Sequence, residues 1–217
     1  MKKRLFVLCL LLLGLAAVAS AQFSFYLIDN FENGQFNTGK WWRFGDVKAD
    51  IMANPSMEAE TLDLIANSCG TYSIKLSGQA KDWYVGGIGT ELGVDASQFS
   101  RFQIDIYGHE SYRGKLVIEL FEDDNNNYTI EQDPKNNYAA LYDDKWVAEV
   151  NIQGKGFTRV SIPFSAFRLA NPGVGDGIWN PHQQNGSGGL LKLQLVAIAD
   201  QQDGKVDFAI DNILLNY

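Results

Sequence analysis

The chain has 217 residues, 46% hydrophobic and 20% charged, with a formal net charge of −8, two cysteines and two histidines. This acidic balance argues against partners that need clustered Lys and Arg, nucleic acid and anionic membrane among them. The length suits one domain with a sizeable core.

The first segment reads as an export signal. Lys2, Lys3 and Arg4 form a positive n-region, Leu5 to Val18 an apolar run, and Ala19-Ser20-Ala21 a small-residue cleavage site. The expected mature chain is a single domain over residues 22–217, secreted or periplasmic. Losing three cations with the signal deepens its net charge from −8 to −11. The apolar run is too short for a membrane span. Cys9 lies inside that run rather than after a cleavage motif, so no lipid anchor is expected. Cys69 is then the single cysteine left, which excludes an intramolecular disulfide and leaves stability to the core or to a metal. Cys69 itself reads as a small buried hydrophobe, since Ser68 and Gly70 complete no nucleophile motif.

After the signal, period-two alternation dominates and no segment carries a 3.6-residue stripe. Leu27 to Gly34 opens the mature chain as an apolar strand interrupted by Asp29 and Glu32. Strands are predicted at Trp41 to Phe44 and at Thr61 to Ile65, with a short helical turn at Asn54 to Glu60 before the latter. Tyr72 to Ser77 alternates cleanly, and Trp83 to Ile88 follows. In Arg101 to Tyr107 the residues Phe102, Ile104 and Ile106 share one face. In Lys115 to Phe121 the inward set is Leu116, Ile118 and Leu120. Glu122 to Asn127 is rich in Asp and Asn, which tolerate left-handed backbone, and reads as a hairpin turn. It resembles an EF-hand loop superficially but lacks the central glycine and the terminal glutamate. Strands are then expected at Tyr128 to Glu131, Trp146 to Val150 and Phe157 to Ile162, with a helical turn at Pro163 to Phe167. Arg168 to Gly189 is a long Gly/Pro/Asn-rich insertion, and loops of this length in compact domains are usually functional or disordered. Its Trp179 is either a ligand contact or a pin holding the loop to the domain. Leu191 to Leu195 alternates again, and Phe208 to Leu215 closes the chain in the same style as its opening. Turn signals recur about every 8–12 residues, as in a sandwich or barrel. The expected fold is an all-β, two-sheet antiparallel β-sandwich whose terminal strands lie side by side.

Enzymatic signals are weak. His109 and His182 have no His or Cys at metal-ligand spacing, and no GxSxG, Walker, HExxH or dinucleotide-binding motif occurs. A glycosidase needs only two carboxylates at fixed separation, but acidic surfaces are common, and the chain is read as non-catalytic. Calcium has better support, because Asp, Glu and backbone carbonyls supply the hard oxygen ligands it takes. Glu32 and Asp211 are the leading metal candidates, with Asp29 next; the alternative is that they are strand-end carboxylates facing water. The outward faces carry Gln103, Asp105 and Tyr107 on one strand and Glu119 on another, while a third offers either Phe157, Arg159 and Ser161 or the complementary set. If these strands share a sheet, amides, carboxylates and a guanidinium lie beside aromatic rings. Sugars offer hydroxyls to such polar groups and C–H faces to such rings. Gln103, Asp105, Tyr107, Glu119, Arg159 and Trp179 are the candidate carbohydrate contacts, although any sandwich has polar outward faces.

The opening Ile28-Asp29-Asn30-Phe31-Glu32, the strand Gly70 to Leu76, the segment Phe157 to Phe167 and the closing Ile210-Asp211-Asn212-Ile213 together resemble galactose-binding-like jelly rolls. The nearest likeness is to carbohydrate-binding modules of the family 11 type, across nearly the whole mature chain. The resemblance implies a two-sheet jelly roll with a structural Ca2+ near the joined termini. Its ligands are an early Glu, a late Asp and backbone carbonyls after an early Gly, which correspond to Glu32, Asp211 and the segment Thr71 to Lys75. It also implies poly- or oligosaccharide recognition on a concave sheet and its bordering loops. Such modules usually accompany a catalytic domain, and here none is expected. Similar jelly rolls occur in exported structural proteins, including sheath proteins of spirochaete periplasmic flagella. The second expectation is therefore an assembly protein with envelope protein partners.

Overall fold

A computed structural model describes residues 25–55, 68–110, 113–184 and 187–217. The export segment, the predicted strand Thr61 to Ile65 and most of the predicted turn Asn54 to Glu60 lie outside the described residues. Among the described residues no helix is long and apolar enough to cross a membrane.

Among the described residues fourteen strands follow in chain order. They are β1 Tyr26–Asp29, β2 Trp41–Gly45, β3 Lys48–Ala53, β4 Tyr72–Gln79, β5 Tyr84–Val94, β6 Arg101–Gly108 and β7 Gly114–Asp123. Then come β8 Gln132–Asp133, β9 Ala139–Ala140, β10 Lys145–Ile152, β11 Gly156–Pro163, β12 Arg168–Leu169, β13 Gly189–Ala199 and β14 Lys205–Asn216. The predicted turn after Pro163 is a single 3-10 turn, Phe164–Ala166. Two six-stranded sheets result. The first runs β11-β6-β14-β4-β3 with β1 added beside β14, and the second runs β12-β10-β7-β13-β5-β2. The expected two-sheet β-sandwich is the fold, and its terminal strands do pair, Tyr26 opposite Leu215 and Leu27 opposite Leu214.

Alternation puts the apolar sets inside. Phe102, Ile104 and Ile106 of β6 meet Leu116, Ile118 and Leu120 of β7 in one core with Trp41, Ile74, Leu76, Phe208 and Ile210. Burying each such side chain contributes about 1.5–3 kcal/mol relative to leaving it in water. Two of the register shifts redirect core residues. In β14 the register shifts between Asp211 and Leu214, with Asn212 at φ 43. This β-bulge lets Ile210 and Ile213 both face inward. In β13 a shift between Leu190 and Lys192 sends Leu190 and Leu193 into the main core. Leu191 turns instead to a satellite cluster with Phe121 and Ile130.

Residues 124–131 form no strand. A chain of Asx turns carries them, with Asn125 N donating to Asp123, Asn127 N to Asn125 and Thr129 N to Asn127. Short polar side chains capture the backbone donors that a ladder would otherwise use. β7 therefore finds its neighbours in β10 and β13 rather than in the segment from Tyr128. Between β7 and β10 the small β8–β9 hairpin stands on the satellite cluster, through Ile130 and Ala140.

Candidate functional site

Register assembles a groove on the outer face of the second sheet. Paired residues share a face, so Trp42, Gly89, Gln194 and Glu119 form one row across β2, β5, β13 and β7. Phe44, Gly87, Val196 and Val117 form the next row, and Glu91, Lys192, Phe121 and Lys145 another. The glycines of β5 are what let aromatic rings lie on the sheet. A Cβ at Gly89 would sit 2.5 Å from the Trp42 indole, and one at Gly87 would strike both the Phe44 ring and the Leu195 carbonyl. The groove has a volume of about 1320 Å³, and its lining includes Asn136 to Ala140 of the β8–β9 hairpin and Ala170, Asn171 and Val174 of the long loop.

Polar groups stand among these rings. Lys145 Nζ is 3.2 Å from Glu119 Oε1. Lys192 Nζ donates to Gln132 Oε1 at 2.9 Å and lies 5.9 Å and 5.5 Å from the Trp42 and Phe121 ring centres. Burial lowers the Lys192 pKa below its ordinary value, while Glu91 and Asp143 partly offset that effect. Burial likewise raises Glu91. Flat apolar faces beside fixed donors and acceptors can take a ligand that is itself half apolar and half hydroxylated.

Among the residues expected to contact carbohydrate, Glu119 lies in this groove. Gln103, Asp105 and Tyr107 on β6 and Arg159 on β11 occupy the outer face of the other sheet, so the outward-facing strands divide between two surfaces. Arg159 grips the fully buried Asp105 through two hydrogen bonds, Nε to Oδ1 at 2.8 Å and Nη2 to Oδ2 at 2.7 Å. Tyr107 packs edge-on to His109 and Phe157, and Gln103 Oε1 accepts from Asn216 at 3.0 Å. Trp179 packs against Trp146 and Phe164, with ring centres 5.7 Å and 4.8 Å apart, and pins the long loop to the core. Beyond Glu119, the groove's aromatic residues carry one local signal in the sequence: Gly86-Gly87-Ile88-Gly89, a strand with too little side chain to cover itself.

The joined termini bring Glu32 and Asp211 into mutual electrostatic range. Glu32 Oε1 accepts from Thr71 N and Tyr72 N, both at 2.8 Å. Gly70, at φ 59, leaves the space, because a Cβ there would lie 2.6 Å from the Glu32 carboxylate. Asp211 is fully buried beside Ser73 Oγ at 3.2 Å. Burial, reinforced by the charges of Asp105 and Glu32, pushes its pKa up to about 7. Ser73 Oγ links Asn54 Oδ1 to Asp211 Oδ2, with the Glu32 charge in range of Asp211; these are hard oxygens of the kind Ca2+ takes. Asp29 turns to other partners, accepting from Phe31 N and Trp41 Nε1 and pairing with Lys40 at 3.2 Å. Cys69 is buried with its Sγ 3.5 Å from Asp105 Oδ2, and burial with the neighbouring carboxylates keeps its thiol protonated well above the usual range.

A second acidic group, absent from the sequence-based candidates, lies where β7 ends and β10 begins. Glu122, Asp124 and Asp144 each bring a carboxylate oxygen within 4.8 Å of the other two. Burial pushes Glu122 up to about 8 despite donors from Asn180 N and Trp146 Nε1, and Asp124 up to about 7 with Asp144 adding to the effect. Asp143 beside them also rises to about 7 through burial.

No protein-family model matches the chain, and no curated protein matches it. Solved structures do. A family 11 carbohydrate-binding module from Clostridium thermocellum, in complex with a β-1,3-1,4-mixed-linked tetrasaccharide, aligns with TM-score 0.53 at 18% identity over 90% of this chain and 97% of its own. The same family's module from a cellulosomal cellulase of that organism aligns with TM-score 0.52 at 17% identity over 90% and 96%. An exo-β-agarase aligns with TM-score 0.53 at 15% identity, over 88% of this chain and 25% of the agarase chain. The chain has the fold of the family 11 carbohydrate-binding modules, as its sequence resemblance implied.

Proposed function

We propose that this is an exported, non-catalytic carbohydrate-binding protein that takes a poly- or oligosaccharide chain in the groove of the second sheet. The observation that carries the reading is the row Trp42–Gly89–Gln194–Glu119, an indole laid flat on a glycine strand beside an amide and a carboxylate. The likeness to a module solved with a mixed-linked tetrasaccharide supports it and suggests the first ligand to try. Calorimetric titration with mixed-linked β-glucan oligosaccharides, alongside a glycan array, tests it. Trp42→Ala is expected to weaken binding at least about tenfold, roughly 1.4 kcal/mol, with the fold intact by circular dichroism. Absence of binding to any saccharide sinks the reading, and binding indifferent to Trp42 moves the site elsewhere.

A structural Ca2+ held by Glu32, Asp211 and main-chain carbonyls of the Thr71 to Lys75 segment belongs to the same proposal. It would neutralise the carboxylates of Glu32, Asp211 and Asp105, near which Arg159 is the cation in contact. The second reading, assembly of an envelope or periplasmic flagellar sheath, draws on the exposed Tyr128, Tyr138, Leu141 and Tyr142 around the β8–β9 hairpin. Recovery of the protein in a purified filament or envelope complex would favour it.

A further inference from the structure

The long loop folds back over the ends of β7 and β10, and the space it closes is lined with oxygen. Glu122 and Asp144 are fully buried. Both Glu122 oxygens have donors, Trp146 Nε1 at 2.6 Å and Asn180 N at 2.8 Å. Asp124 Oδ2 accepts from Asp144 N at 2.8 Å, and Asp144 Oδ2 accepts from Gly177 N at 2.7 Å. The remaining oxygens, Asp124 Oδ1 and Asp144 Oδ1, are buried and make no hydrogen bond of good geometry, although the main-chain N–H groups of Asp176 and Gly175 lie near these two carboxylates; the side-chain carbonyl of Asn180 is likewise unmet. Leaving such acceptors buried and unmet costs about 1–3 kcal/mol each, and more for a charge. Among the described residues none of Glu122, Asp124, Asp144 or the nearby Asp176 has a basic side chain within ion-pair distance. Gly175 leaves the cluster room: a Cβ there would collide with Asp124 Oδ2 and lie 2.6 Å from Asp144 Oδ1.

We propose that Glu122, Asp124 and Asp144, with Asn180 as a neutral oxygen donor, form a binding site for a divalent cation of the calcium type that fastens the long loop to the sheet. All the donors are carboxylate or amide oxygens, the set a hard cation takes, and no nitrogen or sulfur ligand is present to favour a softer metal. The site shares no residue with the Glu32–Asp211 pair and stands on the other sheet.

Titration calorimetry of chelator-stripped protein with CaCl2 tests it. Asp124→Asn/Asp144→Asn is expected to abolish one Ca2+-binding event that Asp211→Asn leaves untouched, with a Kd for that event of about 10⁻⁵–10⁻³ M. In chelator the double variant should melt no lower than wild type, because each amide removes a buried carboxylate without changing its shape. Glu122→Gln serves as a second, milder variant and must weaken the same event at least tenfold. The site is overturned if the wild-type protein binds no Ca2+, or if every binding event survives the Asp124 and Asp144 changes. If only Asp211→Asn affects binding, the terminal site stands and this one falls; the reverse outcome separates them the other way.

Discussion

At the scale of single residues, the strongest polar commitment is Arg159 to Asp105. Asp105 has no exposure to water, and Arg159 meets both of its oxygens. Asn212 Nδ2 donates to the same carboxylate at 3.0 Å. Removing one partner of such a pair leaves a buried charge uncompensated, which typically costs about 3–5 kcal/mol. Arg159 is still partly reached by solvent, so Arg159→Ala is expected to lose about 3 kcal/mol in urea unfolding, the low end of that range. Adding Asp105→Asn should restore much of the loss, and equal losses from the single and double changes would contradict the pairing. The polarity of these two residues and their neighbouring strands were legible in the sequence. Their mutual contact was not, because it depends on β11 pairing with β6 at the register Arg159 opposite Asp105. The same holds for tryptophans: alternation makes Trp41 and Trp42 point opposite ways, but only the sheet order tells which one faces the groove.

At the scale of strands, the readable and the unreadable parts have a common cause. β6, β7 and β4 are legible because unbroken alternation sets each core face without help from neighbours, whereas the segments of β10 and β11 show a strand but not which face it buries. β13 and β14 alternate too, but each contains a bulge that reverses the faces partway along. A bulge is a property of two strands, visible in one only as a positive-φ residue such as Asn212. β3 escaped notice since Lys48-Ala-Asp-Ile-Met-Ala53 is weakly apolar and gains its place by pairing with β4. Glu122 to Asn127 reads as a hairpin turn, but β7 runs on to Asp123 and the turns after it lead to no partner strand, while the acidic cluster beside them needs Glu122 and Asp124 to meet Asp144, about twenty positions away in sequence. β5 carries its own test. Gly87 lies between β2 and β13, where a Cβ would meet the Phe44 ring and the Leu195 main chain. Backbone cannot swing aside as a side chain can, so Gly87→Ala is expected to destabilise by about 1–3 kcal/mol, as overpacking does. The urea midpoint should fall with the slope unchanged; an unaltered midpoint would mean that the two outer strands can shift freely over β5.

At the scale of the whole molecule, buried acid governs how stability responds to pH. Glu122 is pushed up to about 8, and Asp124, Asp143 and Asp211 to about 7, in each case chiefly by burial. Unfolded, the same groups titrate near pH 4. Between those values the cation-free folded protein holds protons that the unfolded chain has released, so stability falls as pH rises. The contribution is complete below about pH 4 and is lost as pH climbs through about 7 to 8. Carboxylates shifted the other way, such as Glu149 beside Lys115 and Arg168, contribute stability above the unfolded value and lose it only in acid. They are therefore level across the neutral window and do not cancel the trend. In chelator the melting temperature is expected to drop by more than about 5 °C between about pH 5 and pH 8.5, since each kcal/mol moves a chain of this size by about 2–4 °C. Saturating Ca2+ should reverse the slope, because a cation binds the ionised carboxylates and competes with protons for them. Scanning calorimetry across that range, with and without Ca2+, decides the matter. A chelated protein that is as stable at pH 8.5 as at pH 5 would mean that the buried carboxylates are neutralised by something other than protons. A slope identical in Ca2+ would mean that no cation reaches them at either site.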